Sequence, residues 1–78
     1  MTLADMAAAS HCRILDAAEQ HLEIQSRLYA LGLYPGVEVK VLRFAPFGDP
    51  MQLKVGNALL SIRKQEAQYI RVEEVPES

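Results

Sequence analysis

The sequence has no tryptophan and one cysteine, Cys12. A lone cysteine cannot close an internal disulfide, so stability must come from a packed core, and a reducing compartment suits the chain best. No apolar run approaches the ~20 residues that span a bilayer. No basic residue precedes the short apolar stretch at the N-terminus, which is a poor start for a signal peptide. The expected location is the cytoplasm. Positive charge is not in excess either: eight Lys and Arg stand against ten Asp and Glu, a formal net charge of −2. Nucleic-acid binders usually show a basic balance, so no nucleic-acid partner is expected. The bases are dispersed along the chain, although Arg43, Arg63 and Lys64 are placed to converge in space.

Catalytic and metal-binding signatures are also missing. There is no GxxxxGK[ST] loop, so nucleotide chemistry would have to belong to a partner. Cys12 sits beside His11, but neighbours on a strand point to opposite faces, which separates a thiol from its would-be base. Cys12 reads instead as a small strand hydrophobe. His11, Cys12, His21 and Glu23 are the weak metal-ligand candidates, and they show no HxxxH or CxxC spacing. Glu73 and Glu74 fall on opposite sides of a strand or in a tail, a solvated pair rather than an acid/base couple. No cofactor and no enzymatic activity are expected.

What is present is one small domain. Its 78 residues are 50% hydrophobic and 23% charged, ordinary globular material. A chain this short buries only about 60–65% of its unfolded surface, leaving little room for a deep cleft. The expected domain spans 1–75, with 76–78 a loose tail that turns acidic from Glu74. Leu3 and Met6 fall on one side of a helical turn, able to cap a core. A short strand lies in 11–18, with Cys12 and Ile14 facing one way. A helix is expected over about 22–31, with Ile24, Leu28 and Leu31 forming an apolar stripe. Gly32 follows as a left-handed cap, with Leu33 folding back on Leu28. Tyr34-Pro35-Gly36-Val37 reads as a type II turn.

From Val37 the period becomes two. Val39 and Val41 alternate with Glu38 and Lys40 until the phase blurs at Leu42-Arg43-Phe44, as at a bulge. Met51, Leu53 and Val55 continue the alternation, Gly56-Asn57 makes a hairpin turn, and Ala58, Leu60 and Ile62 follow. Residues 64–68 suit one helical or 3-10 turn, and Ile70 and Val72 lie in a last strand. Short, evenly spaced strands suggest a small closed barrel, whose closure would remove exposed edges.

The loop Ala45-Pro46-Phe47-Gly48-Asp49-Pro50 is longer than a hairpin needs. Pro46 and Pro50 fix φ and withhold donors. Gly48 supplies a conformation that other residues resist. Asp49 can accept hydrogen bonds from nearby backbone N–H groups. Phe47 alone is not explained by turn-making. It is either a plug over the barrel end or a protruding anchor for a partner.

The segments RLYALGLYPGVEVKVLRFAPFGDP and LSIRKQEAQYIRV closely resemble the FeoA family, small cytoplasmic proteins of bacterial ferrous iron uptake. The residues that carry the resemblance are Leu28-Leu31-Gly32, Pro35-Gly36, Val37–Arg43, Ala45–Pro50, Leu60–Arg63, Glu66-Ala67 and Ile70–Val72. Residues 7–10, AAAS, depart from it by lacking the glycine often found before the first strand. The resemblance implies a mainly β, SH3-like small barrel of about five strands, an inserted helix at about 22–31 and a short 3-10 turn at about 64–68. It also implies a non-enzymatic accessory role with the FeoB membrane transporter, reached at the membrane only through that partner. Leu33, Tyr34, Pro46 and Phe47 are the expected partner-binding residues, with Gly32, Pro35, Gly36, Gly48, Asp49 and Pro50 structural. The alternatives are a metal-responsive regulatory domain, since the same barrel is appended to metal-dependent repressors, or a generic SH3-like interaction module. No winged-helix region precedes the barrel in this sequence, which weakens the regulator reading. Without tryptophan or a tyrosine-rich first loop, a groove for Pro-rich peptides is not expected.

Overall fold

A computed structural model describes residues 1–76. Most of the expected 76–78 tail, residues 77 and 78, lies outside the described residues. A 3-10 turn at Leu3–Asp5 precedes β1 (His11–Ala17), α1 (Leu22–Ala30), β2 (Glu38–Phe44), β3 (Met51–Val55), β4 (Ala58–Ile62), α2 (Lys64–Ala67) and β5 (Ile70–Glu74). The strands form one antiparallel sheet in the order β4-β3-β2-β1-β5. The mainly β architecture with one substantial helix follows the sequence expectation.

Alternation places the core. Cys12 and Ile14 from β1, Val39 and Val41 from β2, Met51 and Leu53 from β3, Ile62 from β4, and Ile70 and Val72 from β5 are all buried. Leu3 and Met6 join them from the N-terminal turn, as their spacing predicted. Two register shifts bend the sheet around this core. One lies between Ile14 and Asp16 in β1, the other between Val41 and Arg43 in β2. The second falls where the phase of the sequence blurs, and an extra residue there sharpens the local bend and twist.

The helix ends as a Schellman motif. The Leu33 N–H donates to the Leu28 carbonyl at 2.9 Å and the Gly32 N–H to that of Tyr29 at 3.0 Å, with Gly32 at φ +92°. This reversal corrects the expected stripe. Leu31 is the C-cap and stays 42% exposed, while Leu33, two residues on, takes the buried place against Leu28.

Two further details differ from expectation and a third is made specific. The sheet is not closed by a ladder between β4 and β5. The four-residue α2 spans that gap, with Ala67 buried. Of the helical or 3-10 turn expected at 64–68, residues 64–67 take the helical form, since Ala67 and Gln68 donate to the carbonyls of Arg63 and Lys64, four residues back. Glu74 is not loose: it stands opposite Cys12 in the β1–β5 ladder, and the Val75 N–H reaches the His11 carbonyl at 3.1 Å. The outer edge of β5 is partly covered, by the Thr2–Arg71 bridge and by the Val72 N–H donating to the Met1 carbonyl.

Before β1, the Ser10 N–H donates to the Ala7 carbonyl across a turn, and Ala9 occupies its third position at φ +68°. That position of a type II turn calls for glycine. The missing glycine is therefore a point of strain. Replacing Ala9 by Gly removes a left-handed penalty of about 1–2 kcal/mol and adds about 0.5–1 kcal/mol of chain entropy. The expected outcome is a Tm at or above that of wild type in thermal unfolding followed by circular dichroism. A clear fall in Tm would contradict the strain.

Candidate functional site

The 45–50 loop is held from both sides. The Gly48 N–H donates to the Ala45 carbonyl at 2.7 Å, closing a turn with Pro46 and Phe47 at its centre. The Ala45 N–H donates to the Pro50 carbonyl at 3.0 Å. Gly48 has φ +88°, and a Cβ built on it would meet only the flexible Lys64 Nζ, at 3.5 Å. Conformation, rather than space, demands glycine there. Asp49 does not bond within the loop, as local turn chemistry suggested. Its Oδ1 accepts the Lys64 N–H at 2.9 Å, fifteen residues away, at the start of α2. Arg63 adds a long ion pair to Oδ2 at 3.8 Å, with both partners well exposed, and such a pair contributes little. The Lys64 ammonium lies 5.1 Å from the centroid of the half-buried Phe44 ring, a modest cation–π contact.

Pinning the loop to α2 leaves Phe47 outside. Its side chain is 100% exposed, so it does not plug the barrel; Pro46 beside it is exposed too. The other expected contact residues divide. Leu33 is fully buried, so its expected presentation to a partner is corrected: the Schellman reversal turns it into the core. Tyr34 is 48% exposed and packs edge-to-face on Tyr29 at 6.2 Å between ring centroids. These two exposed rings form a small aromatic patch at the C-terminal end of α1. Tyr34 precedes β2 and Phe47 follows it, so they lie beyond opposite ends of a seven-residue strand. Tyr29 was missed as a site residue. The signal was the helix ending itself, which folds the residues after Gly32 back over the last turn.

The metal-ligand candidates stay apart. Cys12 is buried inside β1 while His11, its neighbour, lies on the other face, half-buried. His21 stacks edge-on against Tyr69 at 4.8 Å, and Glu23 lies exposed in the first turn of α1. No three His, Cys, Asp or Glu side chains come together among the described residues. Burial, aided by the charge of Glu74, pushes the Cys12 thiol up to about 11, away from the thiolate that metals and electrophiles require. Two of the surface depressions carry ion pairs instead. Arg71 meets Asp16 at 2.6 Å in one of about 400 Å³, and Arg27 meets Glu66 at 2.9 Å in another of about 460 Å³.

The FeoA domain model matches residues 1–74. The FeoA protein of Chlorobium tepidum is 36% identical, with a TM-score of 0.87 over 97% of this chain and 71% of that one. The zinc-complexed FeoA of Stenotrophomonas maltophilia is 28% identical, with a TM-score of 0.80 over 94% of this chain and 89% of that one. That protein is a prokaryotic SH3-domain protein and a candidate bacterial ferrous iron transport activating factor. At 20% identity, zinc-bound ScaR matches with a TM-score of 0.84 over 96% of this chain and 37% of its own, which shows the fold alone.

Two outcomes are expected from this geometry. Asp49→Ala leaves the α2 N–H without its acceptor and lowers stability by about 1 kcal/mol, the usual value of a lost helix-terminal acceptor; urea unfolding measures it. A thiol reagent at pH 8 labels Cys12 about 100-fold more slowly in the native chain than in the urea-unfolded one, since two pH units separate the buried thiol from an ordinary one. As pH rises past the ordinary thiol value of 9.0, only the unfolded chain ionises Cys12. The stability held by the neutral buried thiol is therefore full below that pH and lost towards 11.

Proposed function

The chain belongs to the FeoA domain family, and on that premise we propose that it is a non-enzymatic cytosolic accessory protein of bacterial ferrous iron uptake. It acts by binding a FeoB-type membrane transporter. Phe47 carries the reading of how it binds. It is a fully exposed aromatic on a loop closed by two backbone hydrogen bonds and tied to α2 through Asp49. A large apolar side chain on a pre-ordered loop is the kind of group that anchors an interface, because little flexibility is lost on docking. The exposed Tyr29–Tyr34 pair is a second, separate contact of the same chemistry. Scattered candidate ligands and a buried, protonated Cys12 support an adaptor over a metal-responsive regulator.

The test is a pull-down with the purified cytosolic region of a FeoB-type transporter. Phe47→Asp weakens binding by at least about tenfold, the effect of losing an interface anchor, with circular dichroism unchanged. Tyr34→Asp measures the share of the other patch. If both variants are folded and bind like the wild type, neither surface meets the transporter.

A further inference from the structure

Charge is unevenly spread in this acidic chain. Residues 39–65 carry five cations, Lys40, Arg43, Lys54, Arg63 and Lys64, against one carboxylate, Asp49. The remainder carries three cations against nine carboxylates. Strand register decides where the surplus lies. Arg43 stands opposite Gln52, Gln52 opposite Ser61, and Lys54 opposite Leu59. Met51, Leu53 and Ile62, in the other phase, are buried. Arg43, Gln52, Lys54, Leu59 and Ser61 therefore share the outer face. Arg63 continues that phase two residues beyond Ser61, with its side chain 67% exposed.

One carboxylate of β2 lies on this face: Glu38, exposed at the start of the strand, at the end away from Arg43 and Arg63. Asp49 approaches it only at Arg63. Arg43 bonds the neutral side chain of Gln52, and Lys54 makes no ion pair among the described residues. Leu59, paired with Lys54, is 72% exposed. A singly exposed leucine needs no explanation. One set among three cations, with Glu38 at the far end and Asp49 only at Arg63, makes a composite surface, apolar within and net positive around.

We propose that this outer face of β2, β3 and β4 docks on anionic phospholipid bilayers, with Arg43, Lys54 and Arg63 at the headgroup phosphates and Leu59 entering the interface. Spaced cations on an open sheet face match a planar array of anionic headgroups, and the aliphatic side chain adds apolar burial. Nucleic acid fits less well. The face has no aromatic to stack on bases, and the acidic remainder of the chain repels a long polyanion. The proposal goes beyond the expectation that the chain meets a membrane only through its partner, and it does not rest on the transporter assignment.

Co-sedimentation of the full chain with phosphatidylcholine vesicles, with and without phosphatidylglycerol, tests it. Binding is expected only with phosphatidylglycerol and falls as salt rises. The double variant R43Q/K54Q partitions about 30-fold more weakly, at about 1 kcal/mol per charge, and Leu59→Ser weakens partition further. All three side chains point outward, so circular dichroism should be unchanged. The proposal is overturned by equal binding to both vesicles, by no binding to phosphatidylglycerol at low salt, or by undiminished binding of R43Q/K54Q. Tighter association with a single-stranded oligonucleotide than with the anionic vesicles also overturns it. The vesicles contain no transporter, so this experiment and the pull-down fail independently.

Discussion

One carboxylate, Asp49, connects the loop to the barrel wall. The first N–H groups of any helix lack an intrahelical acceptor, and Arg63, the N-cap of α2, supplies no side-chain cap. Asp49 reaches across from the 45–50 loop and accepts from Lys64. The same contact therefore shapes the loop and seats α2. It matters more here because α2 spans the gap between β4 and β5, where the sheet has no ladder. A small domain with a thin core has few alternative ways to hold such a gap.

From this constraint follows the division between buried and presented groups. With both ends of the loop hydrogen-bonded and Asp49 drawn towards α2, the remaining large side chain, Phe47, has only solvent to enter. At the other end of β2 the Schellman ending does the converse, turning Leu33 inward and leaving Tyr34 beside Tyr29. The molecule is thus a stiff scaffold with apolar tips. Its one thiol is buried and held protonated. Those properties suit an adaptor better than a catalyst.

The net charge of −2 conceals a second organisation. Cations at positions far apart in sequence are gathered on one sheet face because Arg43, Lys54 and Arg63 fall in the outward phase of three neighbouring segments. The strand pair β1–β5, at the other end of the strand order, carries Asp16, Glu73 and Glu74, two of them paired with Arg71 and Arg13. A chain with little total charge can in this way present faces of strongly different charge.

The sequence by itself determined the local structure. Gly32 with Leu33 encoded the helix ending, Pro35-Gly36 the turn, Val39 and Val41 the core phase of β2, and the blurred phase at Leu42–Phe44 the bulge. Each depends on backbone geometry and periodicity within a few residues. Only the tertiary structure decided that Leu33 is core, that Asp49 bonds Lys64, that Phe47 faces water and that Arg43, Lys54 and Arg63 share a face. The Asp49–Lys64 bond and the shared cationic face join residues nine or more positions apart, the first by a loop–helix contact and the second through strand registers. A shift of one residue moves every side chain of a strand to the opposite face. With two bulges bending this sheet, the pattern within each segment stayed legible, while the pairing between segments depended on where the bulges fell.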